Sequence, residues 1–120
     1  MVVDDNLDAA ETLSHLLELD GHLVELAHDG FAATALAVTF KPDVVFLDIG
    51  MPDMNGYETA DALRKVSALE HIIIVALTGW SAEFDKITSG PTEFNYHLTK
   101  PVHRDQIRSL LTTITHSLVS

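Results

Sequence analysis

Asp4-Asp5 follow Val2-Val3, and Asp48 follows Val44-Val45-Phe46-Leu47. Thr78 closes the run Ile72 to Leu77, and Lys100 stands just past Tyr96-His97-Leu98. A short apolar run rich in β-branched and aromatic residues, bounded as the third is by Pro42 and by Gly50 and Pro52, reads as a strand buried on both faces. An acidic residue after one strand is common as the start of a turn. Carboxylates, a hydroxyl and an ammonium at four strand ends are another matter, because parallel strands place their carboxyl ends along one edge, where ligands bind. Carboxylates held close together repel, and a hard divalent cation such as Mg2+ relieves that, taking one or two of them with waters and a phosphate oxygen. Lys100 offers a point charge and Thr78 a hydroxyl donor to the same group. An Asp carboxylate is a competent phosphoryl nucleophile, so the set has the parts that phosphoryl transfer needs.

The elements that must position these groups alternate in period. Met1-Val2-Val3 is the first strand, followed by a helix with Ala9, Leu13, Leu16 and Leu17 at helical offsets, Asp8 as N-cap, Glu11 three residues on, and Gly21 just past its end. His22 to Ala27 reads as the second strand. Asp29-Gly30 turns into a helix expected to put Ala32, Ala35, Leu36 and Phe40 on one face, stopped by Pro42. After the strand ending at Asp48, Asn55 caps a helix with Glu58 opposite it, running through Ala60 and Leu63. Ile72 to Thr78 is the fourth strand, Ser81 to Ser89 a short helix ended by Gly90-Pro91, and Tyr96-His97-Leu98 the fifth strand. Ile107, Leu110, Leu111, Ile114 and Leu118 mark the last helix. Five strand-then-helix units predict right-handed crossovers and one doubly wound α/β domain over residues 1–120, with no linker or internal repeat.

Composition narrows the function classes. With 18 acidic and 7 basic residues, the formal net charge of −11 repels phosphate backbones, so direct nucleic-acid binding is not expected. The absence of cysteine excludes a disulfide framework and a thiolate metal site. The longest apolar run, Ile72 to Leu77, is too short to span a bilayer, and a cytoplasmic location is expected. His15, His22, His28, His71, His103 and His116 have no ligand spacing and read as scattered surface or half-buried residues, and Trp80 reads as packing rather than as a gate.

The motifs Val2-Val3-Asp4-Asp5-Asn6, Leu47-Asp48-Ile49-Gly50-Met51-Pro52-Asp53-Met54-Asn55-Gly56-Tyr57-Glu58, Ala76-Leu77-Thr78-Gly79 and His97-Leu98-Thr99-Lys100-Pro101-Val102 together resemble the receiver domain of bacterial two-component response regulators. The resemblance covers nearly the whole chain. It implies a flavodoxin-like five-stranded sheet in the order 2-1-3-4-5. It makes Asp48 the phosphoacceptor, Asp5 the main metal carboxylate with Asp4 assisting through water, and the Gly50 carbonyl a further Mg2+ ligand. Thr78 is then the switch hydroxyl, with His97 as its partner in the switch, and Lys100 contacts the phosphoryl group. The implied partner is a histidine kinase or histidine phosphotransfer protein, a phosphorylation-dependent dimer belongs to the same expectation, and the wording of the motifs is similar to receivers attached to hybrid sensor kinases. Such a domain assists its own phosphorylation and dephosphorylation but is not otherwise an enzyme.

The chain departs from the family pattern in places. The first strand is short, which should weaken the centre of the sheet; His97 stands where an aromatic is usual; and Glu93 replaces a usual glycine. Two other readings compete. A Mg2+-dependent phosphatase with an Asp nucleophile needs a second carboxylate two residues on, where this chain has Gly50. A degenerate receiver acting only as an interaction module would be expected to have lost Asp5, Asp48, Thr78 or Lys100, and all are present.

Overall fold

The apolar runs pair as parallel strands in the computed structural model of the chain, which describes residues 1–49, 56–66, 72–78, 94–100 and 102–119. The strands are β1 (Val2–Val3), β2 (Leu26–Ala27), β3 (Val44–Asp48), β4 (Ile73–Thr78) and β5 (Tyr96–Thr99). They form one sheet in the order β2-β1-β3-β4-β5. Among the described residues the helices are α1 (Leu7–Leu19), α2 (Gly30–Phe40), α3 (Gly56–Arg64) and α4 (Arg104–Val119). The expected α/β architecture and strand order are those observed.

Period-2 alternation divides the core between the two faces of the sheet. Val3, Val45, Leu47, Ile74 and Ala76 pack with Ala33, Ala37, Ala60 and Leu63 of α2 and α3. Val2, Phe46, Val75 and Leu77 pack with Ala10, Leu13 and Leu17 of α1 and with Ile107 and Ile114 of α4. Phe46 is 2% exposed, and full burial of such a side chain contributes ~1.5–3 kcal/mol. β1 is short but not loosely held. Phe46 N donates to the Met1 carbonyl (2.9 Å), Val2 N to the Glu25 carbonyl (2.9 Å) and Asp4 N to the Ala27 carbonyl (3.1 Å), so pairing continues past both ends of the strand.

Several local expectations are corrected. The N-cap of α1 is Asn6, whose side chain accepts from Ala9 N; Asp8 lies inside the first turn. Asn6 is the residue that keeps extended backbone angles (φ -82°, ψ 108°) immediately before the helix begins at Leu7, as an N-cap does. Gly21 does follow the helix, at φ 89°. The second strand is confined to Leu26–Ala27, because its partner β1 offers only Val2 and Val3 to pair with, and Leu23 is left 88% exposed. In α2 the buried positions are Gly30, Ala33 and Ala37, with Leu36 and Phe40 partly buried; Ala32 and Ala35 face outward. This helix is apolar nearly all round, so its sequence periodicity could not choose a face. β4 begins at Ile73, with Ile72 buried just before it, and β5 reaches Thr99. The Asn55 cap, the helix over Ser81 to Ser89, Trp80, Gly90-Pro91 and Glu93 lie outside the described residues.

A polar clamp fixes the start of β5. Asn95 N donates to the Ile74 carbonyl and Ile74 N to Asn95 Oδ1, both at 2.8 Å, so the side chain takes the place of a strand carbonyl. Arg64, in the last turn of α3, donates to the same Oδ1 and to the Ile72 carbonyl, each at 2.5 Å.

Candidate functional site at the carboxyl edge of the sheet

Strand register brings the candidate residues to one level. Val3 is opposite Leu47, so the next residues, Asp4 and Asp48, leave neighbouring strands side by side. Asp48 is opposite Leu77, and Thr78 is opposite Thr99, which sets Thr78 and Lys100 at the same edge. Lys100 N donates to the Thr78 carbonyl at 2.8 Å, tying their backbones together.

The carboxylates of Asp4, Asp5 and Asp48 each offer an oxygen within 4.8 Å of the others. Their surroundings differ. Asp4 is 2% exposed, with Oδ1 accepting from Asn6 N (3.0 Å) and Oδ2 from Lys100 Nζ (2.8 Å). Asp48 is half-buried and Asp5 is open to solvent. Lys100 Nζ also lies 3.5 Å from Asp48 Oδ2. Burial pulls the Lys100 pKa down, but the hydrogen bond to Asp4 and the charges of Asp48 and Asp4 outweigh it and hold the pKa above its ordinary value. The ammonium is therefore fully charged at neutral pH.

One ammonium among three carboxylates leaves the cluster negative. A hard divalent cation fits that deficit, and the spacing suits a shared ion rather than hydrogen bonds between carboxylates. Thr78 is fully buried, and its Oγ1 finds no hydrogen-bond partner among the described residues. A hydroxyl that is buried and left unpaired costs ~1–3 kcal/mol. His97 on β5, opposite Ala76 of β4, is exposed. Gly50 lies outside the described residues.

A family profile for the response regulator receiver domain matches residues 1–112. The chain belongs to the response regulator receiver family. Protein PilH of Pseudomonas aeruginosa is 36% identical over 114 residues, covering 95% of this chain and 92% of that protein. The chemotaxis response regulator CheY4 of Vibrio cholerae superposes with a TM-score of 0.82 at 29% identity, covering 94% of both chains. A receiver domain of a signal transduction histidine kinase from Syntrophus aciditrophicus superposes with a TM-score of 0.81 at 25% identity, covering 97% of this chain and 88% of that one. An origin in a hybrid kinase is not singled out, since PilH matches along most of its own length.

In this receiver the acidic cluster Asp4, Asp5 and Asp48 is of the kind found at receiver phosphorylation sites and fits their Mg2+. Membership assigns the chain to two-component signalling rather than to a conventional enzyme family, with histidine kinases as the general partner class. None of the described helices is long and apolar enough to cross a membrane. Two neighbours of the site escaped the sequence reading. Asn6 holds Asp4 through its backbone N–H, and His28 Nδ1 lies 3.4 Å from the Asp4 carbonyl. His28 was findable, because it directly follows the last residue of β2.

Proposed function

We propose that this receiver is a phosphoacceptor in a two-component phosphorelay, taking a phosphoryl group from a partner's phosphohistidine onto Asp48. The observation that carries the reading is the convergence of Asp4, Asp5 and Asp48 around the Lys100 ammonium at one edge of the sheet. An Asp48 carboxylate oxygen attacks phosphorus; the P–O bond forms as the P–N bond breaks, and the imidazole leaves with the bond's electron pair. Asp5 and Asp48, with Asp4 through water and the Gly50 carbonyl, would hold Mg2+, which when bound neutralises charge on the phosphoryl oxygens. Lys100 swings from Asp4 toward the new phosphoryl group while its backbone stays bonded to Thr78. The Thr78 hydroxyl, unpartnered among the described residues, donates to a phosphoryl oxygen, and His97 moves inward from its exposed position.

The donor is a histidine kinase or a histidine phosphotransfer protein, and a cytoplasmic setting goes with such a donor. The net charge of −11 argues against nucleic acid as the direct partner. Turnover as a phosphatase is not proposed, because Gly50 supplies no general acid two residues beyond Asp48. Incubation with Mg2+ and acetyl phosphate, followed by intact mass, tests the reading. One phosphoryl group is expected on the wild type and none on Asp48→Asn or after chelation of the metal. Equal labelling of wild type and Asp48→Asn would end the assignment.

A further inference from the structure

We infer that the outer face of α2 is a self-association surface, on which a second copy of this chain docks antiparallel about a two-fold axis through Ala35. The residues of α2 that reach solvent are Phe31, Ala32, Ala35, Val38 and Thr39. Phe31 is 66% and Val38 53% exposed, a large apolar exposure for a single short helix. No charged residue occurs between Gly30 and Phe40, whereas α1, α3 and α4 all carry charges.

The pattern of this stripe selects its occupant. A two-fold contact needs a patch complementary to itself, in which residue i meets j and j meets i. Running α2 against an antiparallel copy centred on Ala35 sets Ala32 against Val38 of the other copy, Phe31 against Thr39, and Ala35 against itself. The exposed positions are thus symmetric about Ala35, and the smallest side chain falls where two helix axes come closest. The same registration brings Asp29, the exposed N-cap, to the level of Lys41, the exposed C-cap, at the flanks of the contact. Lys41 has no ion-pair partner among the described residues. Two Asp29 to Lys41 attractions therefore flank an uncharged centre, with opposed helix dipoles. Leu23, 88% exposed, lines a groove with Phe40 and Lys41 at the carboxyl end of α2.

Electrostatics favours this face over the rest of the surface. At a net charge of −11 two copies repel over most approaches, and α2 is the described helix that carries no part of that charge. An 11-residue helix is about 16 Å long, so the contact is smaller than the ~1,200–2,000 Å² of a stable complex. The dimer is accordingly weak and reversible. It does not depend on the phosphoryl group, which distinguishes it from dimerisation triggered at Asp48.

Sedimentation of the full chain from micromolar to millimolar concentration tests this, with Asp48→Asn alongside. Both are expected to associate equally, and Ala35→Glu, which sets two like charges on the axis, to associate at least about tenfold more weakly. The chain has no cysteine, so Ala35→Cys should form a disulfide-linked dimer faster than Glu11→Cys, an exposed position on α1. A monomer at every concentration would overturn the inference, even if a foreign protein binds α2. So would association that Ala35→Glu leaves unweakened, association only after phosphorylation, or cross-linking at Ala35 no faster than at Glu11.

Discussion

Thr78 and Lys100 stand at the same edge of the sheet in opposite conditions, one a buried hydroxyl and the other an ammonium paired with two carboxylates. Thr78 Oγ1 is buried without a hydrogen bond among the described residues, and a buried hydroxyl that stays unpaired carries its desolvation cost. Thr78→Val, of the same shape, should leave stability unchanged or raise it by up to about 1 kcal/mol in urea unfolding. A loss of more than that would mean the hydroxyl is already satisfied. Lys100→Met removes the cation from beside Asp4, which is 2% exposed. In metal-free buffer it should destabilise by about 2–4 kcal/mol, and saturating Mg2+ should recover more stability in this variant than in the wild type. Thermal melts with and without Mg2+ read that difference. These residues were legible in the sequence because each follows an apolar run, and chain direction then fixes which edge it joins. Asn6 was not, since its backbone N–H, not its side chain, serves Asp4.

Among the elements, α1 decides between two rules for where a helix starts. The sequence offers Asp8 with Glu11, but the helix begins at Leu7 and Asn6 caps it through Ala9 N at 3.1 Å. Asn6→Ala should cost about 1 kcal/mol, and Asp8→Ala only the few tenths expected of an acidic first-turn residue. Equal losses in urea unfolding would contradict the observed cap. β3, β4 and α4 were readable because each carries one unambiguous period or an unbroken apolar run. β2 was not. Leu23 and Val24 have strand character, but β1 is two residues long and leaves them nothing to pair with. Strand length is a property of the neighbour as well as of the sequence. In α2 an apolar sequence on every side left its buried face to be set by contact with α3 and the sheet.

Across the whole molecule, sheet order was not in the hydrophobic pattern, which gives alternation but not adjacency; it came from family resemblance. Nor did any pattern reveal the tie between the ends of α1 and α4. Asp20 accepts from Arg104 at 2.8 Å and lies 3.1 Å from the Arg108 guanidinium. The hydrogen bond from Arg104 lowers the Asp20 pKa below 3.8; burial opposes this, and Arg108 and the charges of both arginines add to the lowering. A depressed folded value stabilises fully above the unfolded pKa and is lost as pH falls through the folded one. Asp20→Asn should therefore be less stable than wild type near neutral pH, and the gap should close below about pH 3.8. A gap that persists at lower pH would assign the tie to packing rather than charge. The pair Lys100 and Asp4 spans more of the chain still, joining residues 96 positions apart. The buried carboxylate that follows the first strand thus takes its ammonium from beyond the last one, and a domain of this size folds as one cooperative unit, so the charge balance of this edge is complete when the whole chain is in place.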